Sequence, residues 1–96
     1  MLRPYELVLV ISPEVQEEAL TPLVERVNKF IVDRGGSVEN QDHWGKRRLA
    51  YPIAKFMEGN YILTHFQMEP PAVIDLESTL ELNEGILRHL VVRRDE

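Results

Sequence analysis

The spacing of apolar residues switches between strand-like and helix-like along this chain, and the order of the switches constrains the fold more than any other feature. Residues 5–11 are apolar or β-branched at nearly every position, which predicts a central strand covered on both faces. Beyond this strand, apolar side chains recur every three or four residues, which is typical of a helix. Because Pro22 suits the first turn of a helix, we predict a short helical turn over residues 14–20 and a main helix over residues 22–34.

Two strands follow the first helix in the sequence pattern. A strand predicted over residues 37–51 has a polar interruption at residues 40–42 and ends at Pro52, since proline cannot donate a hydrogen bond to a sheet. Residues 54–60 are predicted to form a loop. Residues 61–68 alternate strictly between two sets of side chains, as expected of a strand whose two faces meet different surroundings.

The final elements are a helix and a strand. Residues 70–83 begin with two prolines and then place apolar side chains at helical spacing, and residues 86–93 are again apolar and β-branched. The predicted order is therefore β-α-β-β-α-β, an α+β chain. Two interleaved right-handed crossovers of this kind give a ferredoxin-like fold: a four-stranded antiparallel sheet with both helices on one face and strands one and three in the centre.

Length and composition set the limits of what this chain can be. With 96 residues it has room for one core, so we predict a single domain over residues 1–96. It contains no cysteine, which excludes disulfides and thiolate metal sites. Its apolar runs are far shorter than the ~20 residues of a membrane span, and Glu6 stands where a signal peptide needs apolar residues. We therefore expect a cytoplasmic chain with no membrane contact.

One face of the predicted sheet has no helix over it, and strict alternation places Tyr61, Leu63 and His65 there. The first strand adds one of two sets, either Tyr5, Leu7 and Leu9 or Val8 and Val10. The last strand offers the core either Ile86, Leu90 and Val92 or Leu87 and Val91. Apolar side chains on an open sheet face indicate a partner surface, although single exposed apolar residues are also ordinary. The predicted partner-binding residues are Val8, Val10, Tyr61, Leu63 and His65.

The sequence offers little for catalysis. The histidines at 43, 65 and 89 match no zinc-binding spacing, and the five glycines form neither a phosphate-binding loop nor a dinucleotide fingerprint. The carboxylates in and after the second helix, Asp75, Glu77, Glu81 and Glu84, are typical of a solvated helix face. We therefore predict no enzyme activity, no metal, no cofactor and no small-molecule substrate.

The charge of the chain is unevenly distributed. A net charge of −5 argues against nucleic acid as a partner. However, residues 69–85 contain acidic residues and no lysine or arginine, whereas residues 43–60 and 86–94 are predominantly basic. Because charges in physiological salt are screened over roughly 8 Å, a phosphate responds to the nearest patch rather than to the whole molecule. The distribution is compatible with one side of the molecule docking onto an anion.

The basic triplet Lys46–Arg48 is the strongest motif for such docking. Arginine presents a planar fork of donors that suits phosphate oxygens, and Lys55 follows as a mobile point charge. Trp44 and Tyr51 flank the triplet with rings that can stack on a base or ribose. A second basic cluster, at residues 88–94, lies on another strand. Together these features favour RNA binding.

Three longer motifs stand out in the chain: the run Gly-Lys-Arg-Arg-Leu-Ala-Tyr-Pro-Ile at residues 45–53, the opening Arg-Pro-Tyr-Glu at residues 3–6 and the stretch at residues 82–88. Together they resemble one family, that of protein six of the bacterial small ribosomal subunit. It implies a structural protein of the subunit's platform with the same split fold. It also implies that the chain binds small-subunit ribosomal RNA and pairs with ribosomal protein eighteen. Relatives with long charged tails differ from this chain, which has only Asp95 and Glu96 after Arg94.

Charge and resemblance together define the predicted RNA-binding residues. These are Arg3, Tyr5, Lys46, Arg47, Arg48, Tyr51, Lys55, Arg88, Arg93 and Arg94. The resemblance assigns Tyr61 and Leu63 to the partner protein, and we expect a monomer when the chain is free. Two other functions share this fold: a single-stranded RNA reader, whose paired aromatics on a central strand are not found here, and a sensing domain that dimerises through the open sheet.

Overall fold

The computed structural model, which describes residues 1–94, has the predicted order of elements. They are β1 (Arg3–Ile11), α1 (Glu17–Asp33), β2 (Ser37–Ile53), β3 (Phe56–Met68), α2 (Pro70–Glu81) and β4 (Ile86–Arg93). The strands form one antiparallel sheet in the order β2-β3-β1-β4, which confirms the ferredoxin-like class and the central places of β1 and β3. Asp95 and Glu96, the end of the predicted domain, lie outside the described residues.

The core lies between the two helices and one face of the sheet. Alternate residues of β1 and β3, including Leu7, Leu9 and Phe66, are fully buried against apolar stripes on α1 and α2. Each such side chain contributes about 1.5–3 kcal/mol by leaving water. Tyr5 belongs to the same set: it is 7 % exposed, and its ring stacks on Phe66 with 5.5 Å between ring centroids. Both helices therefore cover a single sheet face.

The first helix differs from its prediction. The sequence predicts a break before Pro22, but α1 runs without interruption over Glu17–Asp33 and contains Pro22 in its second turn. A proline there removes the hydrogen bond that the carbonyl of Glu18 would accept, and its ring crowds that carbonyl. Pro22 is exposed, whereas the next two residues, Leu23 and Val24, are buried in the core. Packing of the apolar stripe thus outweighs the local cost of the proline.

The hairpin between β2 and β3 is longer than predicted. The expected loop at residues 54–60 is wrong, because only Ala54 and Lys55 turn the chain and Ile53 pairs with Phe56. Pro52 does not end β2, since it lies in an irregular stretch where the register shifts and no ladder hydrogen bond is needed from it. Both turn residues have positive φ, 47° and 69°, a conformation that usually selects Asn-Gly in hairpins.

This turn gives a stability prediction. We expect Ala54→Asn combined with Lys55→Gly to raise the free energy of unfolding by about 1 kcal/mol, because the left-handed conformation costs an ordinary residue about 1–2 kcal/mol. Urea unfolding followed by circular dichroism measures the change. The control is Lys46→Gly, which removes the same charge from a strand position without positive φ and should lower the stability instead. A destabilised double variant would contradict the strain argument.

Candidate nucleic-acid and partner interface

The sheet face opposite the helices is formed by the second set of alternating side chains, and we call it the open face. Val8 pairs with Leu63 on β3 and with Leu90 on β4, while Val10 pairs with Tyr61 and Arg88. Of the two sets that β1 could offer, the structure therefore buries Tyr5, Leu7 and Leu9 beneath the helices and turns Val8 and Val10 to the open face.

The facing of β4, which the sequence left open, follows from its register. Val91 pairs with Leu7 and packs against the core, whereas Leu90 and Val92 are 49 % and 45 % exposed on the open face. Ile86 also packs against the core, because a bulge at Val10/Ile11 shifts the register between it and the rest of the strand. Alternation left the two sets of β4 undecided, because it cannot reveal a bulge that turns Ile86 to the core while Leu90 and Val92, of the same set, face away from it.

One end of the open face is polar. The Nε2 atom of His65 lies 3.0 Å from Oε1 of Glu6 on the neighbouring strand. Further along, Glu39 accepts hydrogen bonds from Gln67, at 3.2 Å, and from Nη2 of Arg94, at 2.6 Å. The Gln67 hydrogen bond, and then that from Arg94, lower the pKa of the Glu39 carboxyl. The ion pair between Glu39 and Arg94 is therefore present at neutral pH and is lost as the pH falls through the lowered pKa of Glu39.

The other end of the open face is covered in part by the hairpin. Beyond the end of β1, β2 and β3 continue as a two-stranded segment, residues 47–59, that we call the ribbon. Its Tyr51 hydroxyl accepts a hydrogen bond from Nη1 of Arg88 on β4, at 2.6 Å. Tyr51 is on β2, and β3 and β1 lie between β2 and β4 in the sheet. The ribbon must therefore fold back over the open face for Tyr51 to reach Arg88. Val10 is consequently only 4 % exposed although it points away from the helices.

Gly59 makes this fold-back possible, and it gives a second stability prediction. A Cβ at Gly59 would lie 2.5 Å from Cγ1 of Val10 and 3.3 Å from the carbonyl oxygen of Ile11. Val10 is buried and β-branched, so it cannot easily turn aside. We expect Gly59→Ala to destabilise the fold by about 1–3 kcal/mol in urea unfolding. The penalty should shrink in a Val10→Ala background, and an equal penalty in both backgrounds would refute the clash.

The basic triplet divides between two sides of the ribbon and sheet. Arg47 pairs with Gly59 and shares an open-face cleft with Trp44 and Tyr61, so it belongs to that face. Lys46, which pairs with Asn60, lines a different cleft beside the start of α1. Arg48 lies opposite Glu58 across the ribbon. All three side chains are exposed, as a contact with phosphate requires.

The remaining predicted RNA-binding residues are placed unequally. Lys55 is exposed at the tip of the hairpin, and Arg88 is exposed on the open face. By register, Arg3 and Arg93 lie on the helix side at the far end of β1 and β4, and both have contacts within the protein. Arg94 donates to the carbonyl oxygen of Tyr5 and to Glu39. Tyr5 itself is buried, so its ring does not reach a nucleotide.

The described residues show no arrangement suited to a metal or a membrane span. In residues 1–94, no three histidine, aspartate or glutamate side chains converge at metal-binding distance. Neither α1 nor α2 combines the length and the apolar character that crossing a bilayer requires.

An exposed apolar sheet face beside a cation-rich hairpin is the surface of a binding protein, and comparison with known proteins identifies the class. Residues 4–93 match the family model of ribosomal protein S6. The chain is 44 % identical to small ribosomal subunit protein bS6 of Caldanaerobacter subterraneus subsp. tengcongensis over 95 residues, covering 99 % of this chain and 100 % of the relative. It is 42 % identical to bS6 of Mycolicibacterium paratuberculosis, with 99 % of each chain covered.

A solved structure leads to the same family. The crystal structure of 30S ribosomal protein S6 from Thermotoga maritima superposes with a TM-score of 0.92 at 36 % identity, covering 98 % of this chain and 89 % of that one. The chain belongs to the ribosomal protein S6 family. It is a structural constituent of the small ribosomal subunit and not an enzyme, which confirms the predicted family and its location in the ribosome.

Proposed function

We propose that this chain binds small-subunit ribosomal RNA together with ribosomal protein eighteen and stabilises the subunit's platform during assembly. The observation that carries the proposal is the layout of the open face, whose apolar centre lies next to a cationic end formed by the ribbon. Such a surface suits two different neighbours at once, a protein on the apolar part and RNA on the cationic part.

The apolar centre supports the protein partner. Val8, Leu63, Leu90 and Val92 adjoin one another in the register of β3, β1 and β4, with Tyr61 at the edge. Val8 and Leu63 are half-buried, and Leu90 and Val92 are more exposed. At roughly 25 cal/mol per Å², covering these side chains provides a driving force for pairing. Polar groups such as His65 and Glu6 border this centre and would fix the register of the partner.

The cationic end supports RNA. Lys46, Arg47, Arg48 and Lys55 are exposed on and beside the ribbon, and Arg88 donates a hydrogen bond to the Tyr51 hydroxyl of the ribbon. These groups lie outside the acidic stretch at residues 69–85, which includes α2, so a phosphate near the ribbon is attracted despite the net charge of −5. Arg3, Arg93 and Arg94 lie at the opposite end of the sheet and would contact a second stretch of backbone.

Co-sedimentation tests the proposed function. The purified chain, which we expect to be a monomer in analytical ultracentrifugation, is mixed with small-subunit ribosomal RNA in the presence and absence of ribosomal protein eighteen. Stable co-sedimentation that requires both proteins is the expected result. A chain that forms a stable dimer, or that binds neither the RNA nor the partner, would contradict the proposal.

A further inference from the structure

An aromatic pair lies where the ribbon meets the open face. The rings of Trp44 and Tyr61 are nearly parallel, with 12° between their planes and 6.3 Å between their centroids. The register of β2 shifts between His43 and Gly45, so Trp44 has no partner across the ladder. Gly45 takes up the irregularity with φ of 78°. This bulge directs the indole onto Tyr61 instead of along the strand.

One face of the indole remains open. Trp44 is 47 % exposed, although Tyr61 lies against one side of it. A flat group inserted between the two rings would need about 7 Å between them, twice the usual stacking distance of 3.4 Å. The observed separation is smaller, so a ligand has room only on the outer face of Trp44.

Arg47 lines the same cleft. The cleft is formed by Trp44, Arg47 and Tyr61, and the arginine side chain is exposed. Arg34 and Arg94 have carboxylate partners, on Asp75 and Glu39, but within residues 1–94 the guanidinium of Arg47 has no ion pair. An open aromatic face therefore lies beside a cation whose charge is not neutralised.

We propose that this cleft binds an unpaired nucleotide of the ribosomal RNA, with the base stacked on the outer face of Trp44 and the phosphate held by Arg47. The inference rests on the proposed function and adds a specific site to it. Every base has a π-face, so the site would require an unstacked nucleotide but would tolerate any base. A partner arginine would also stack on indole, but Arg47 would repel it, whereas the same charge attracts a nucleotide.

The chain contains one tryptophan, so its fluorescence reports on this site alone. The experiment titrates the chain, bound to a tryptophan-free form of ribosomal protein eighteen, with small-subunit ribosomal RNA transcribed in vitro. Stacking of a base should quench the indole emission by more than about half. Trp44→Leu should weaken RNA binding by about 5- to 150-fold, the range of one stacked base, while Trp44→Phe should keep most of the affinity.

The outcomes separate this site from the wider function. RNA binding without quenching, together with unchanged affinity of Trp44→Leu, would overturn the nucleotide site and leave the proposed function in place. Quenching by ribosomal protein eighteen alone would show that a protein covers the indole, which also overturns the site. Failure of the wild-type complex to bind RNA would overturn both. Circular dichroism of each variant, and unchanged pairing of Trp44→Leu with ribosomal protein eighteen, show that the fold and the partner surface are intact.

Discussion

Reversing the charge of Arg47 and Arg48 together, by substitution with glutamate, is expected to weaken binding of small-subunit ribosomal RNA by about 10- to 100-fold near physiological salt. Both side chains are exposed on the ribbon, one on each side of it. Each phosphate contact contributes about 0.7–0.9 to the dependence of log K on log salt, so losing two should flatten that slope by about 1.5. A filter-binding series over salt concentration, with ribosomal protein eighteen present, measures both quantities.

A matched control removes charge from the other side of the molecule. Arg26→Glu with Lys29→Glu makes the same change in net charge, but on exposed positions of α1, away from the ribbon. These substitutions should leave the salt slope nearly unchanged, because screening limits their reach to roughly 8 Å. If both pairs of substitutions weakened RNA binding equally, the net charge of the chain would explain the loss, and the ribbon would not be the RNA-binding surface.

Leu63→Asp is expected to weaken pairing with ribosomal protein eighteen by about 100- to 1000-fold or more. Leu63 lies on β3 in the apolar centre of the open face and pairs with Val8. In the free chain a carboxylate there can stay hydrated, so the fold should survive. In the complex it would be buried without a partner, which costs about 3–5 kcal/mol. Isothermal titration calorimetry measures the loss, and circular dichroism verifies the fold.

Leu82→Asp serves as the comparison for this change. Leu82 follows α2 on the helix side and is 84 % exposed, so the same substitution there adds the same charge without entering the open face. Its affinity for ribosomal protein eighteen should match that of the wild type. An unaltered affinity of Leu63→Asp would show that the partner binds elsewhere on the molecule.

The spacing of apolar residues predicts strands whose side chains alternate between two faces and helices with a continuous apolar stripe. The last strand begins and ends where the sequence analysis placed it, and the central positions of β1 and β3 follow from the element order. The errors fall where tertiary packing overrides a local signal. Pro22 predicts a helix start, yet the partly buried Leu20 before it and the buried Leu23 after it both pack on the core within one continuous helix. Residues 54–60 look like a loop because their composition is mixed, but only the first two form a turn, and residues 56–60 belong to β3 and pair with β2.

The candidate site was only partly predictable for the same reason. Alternation placed Tyr61 and Leu63 on the sheet face without helices, and in the structure Val8 and Val10 lie beside them on that face. Three features depend on irregularities that no periodic rule describes: the bulge at Trp44, the shift that lets Ile86 face the core while Leu90 is exposed, and the fold-back of the ribbon. Tyr5 was predicted to bind RNA and is buried instead; alternation cannot reveal this, because both sets on β1 are apolar.

The hydrogen bond between Tyr51 and Arg88 bears on how readily the ribbon can meet another molecule. An isolated two-stranded hairpin is marginally ordered in water and samples many directions relative to its sheet. Here the strand carrying the arginines is anchored twice, at its root in the sheet and again at the opposite edge. A mobile hairpin would lose conformational entropy when it binds another molecule, but the ribbon loses most of it when the chain folds. The same contacts therefore give tighter association.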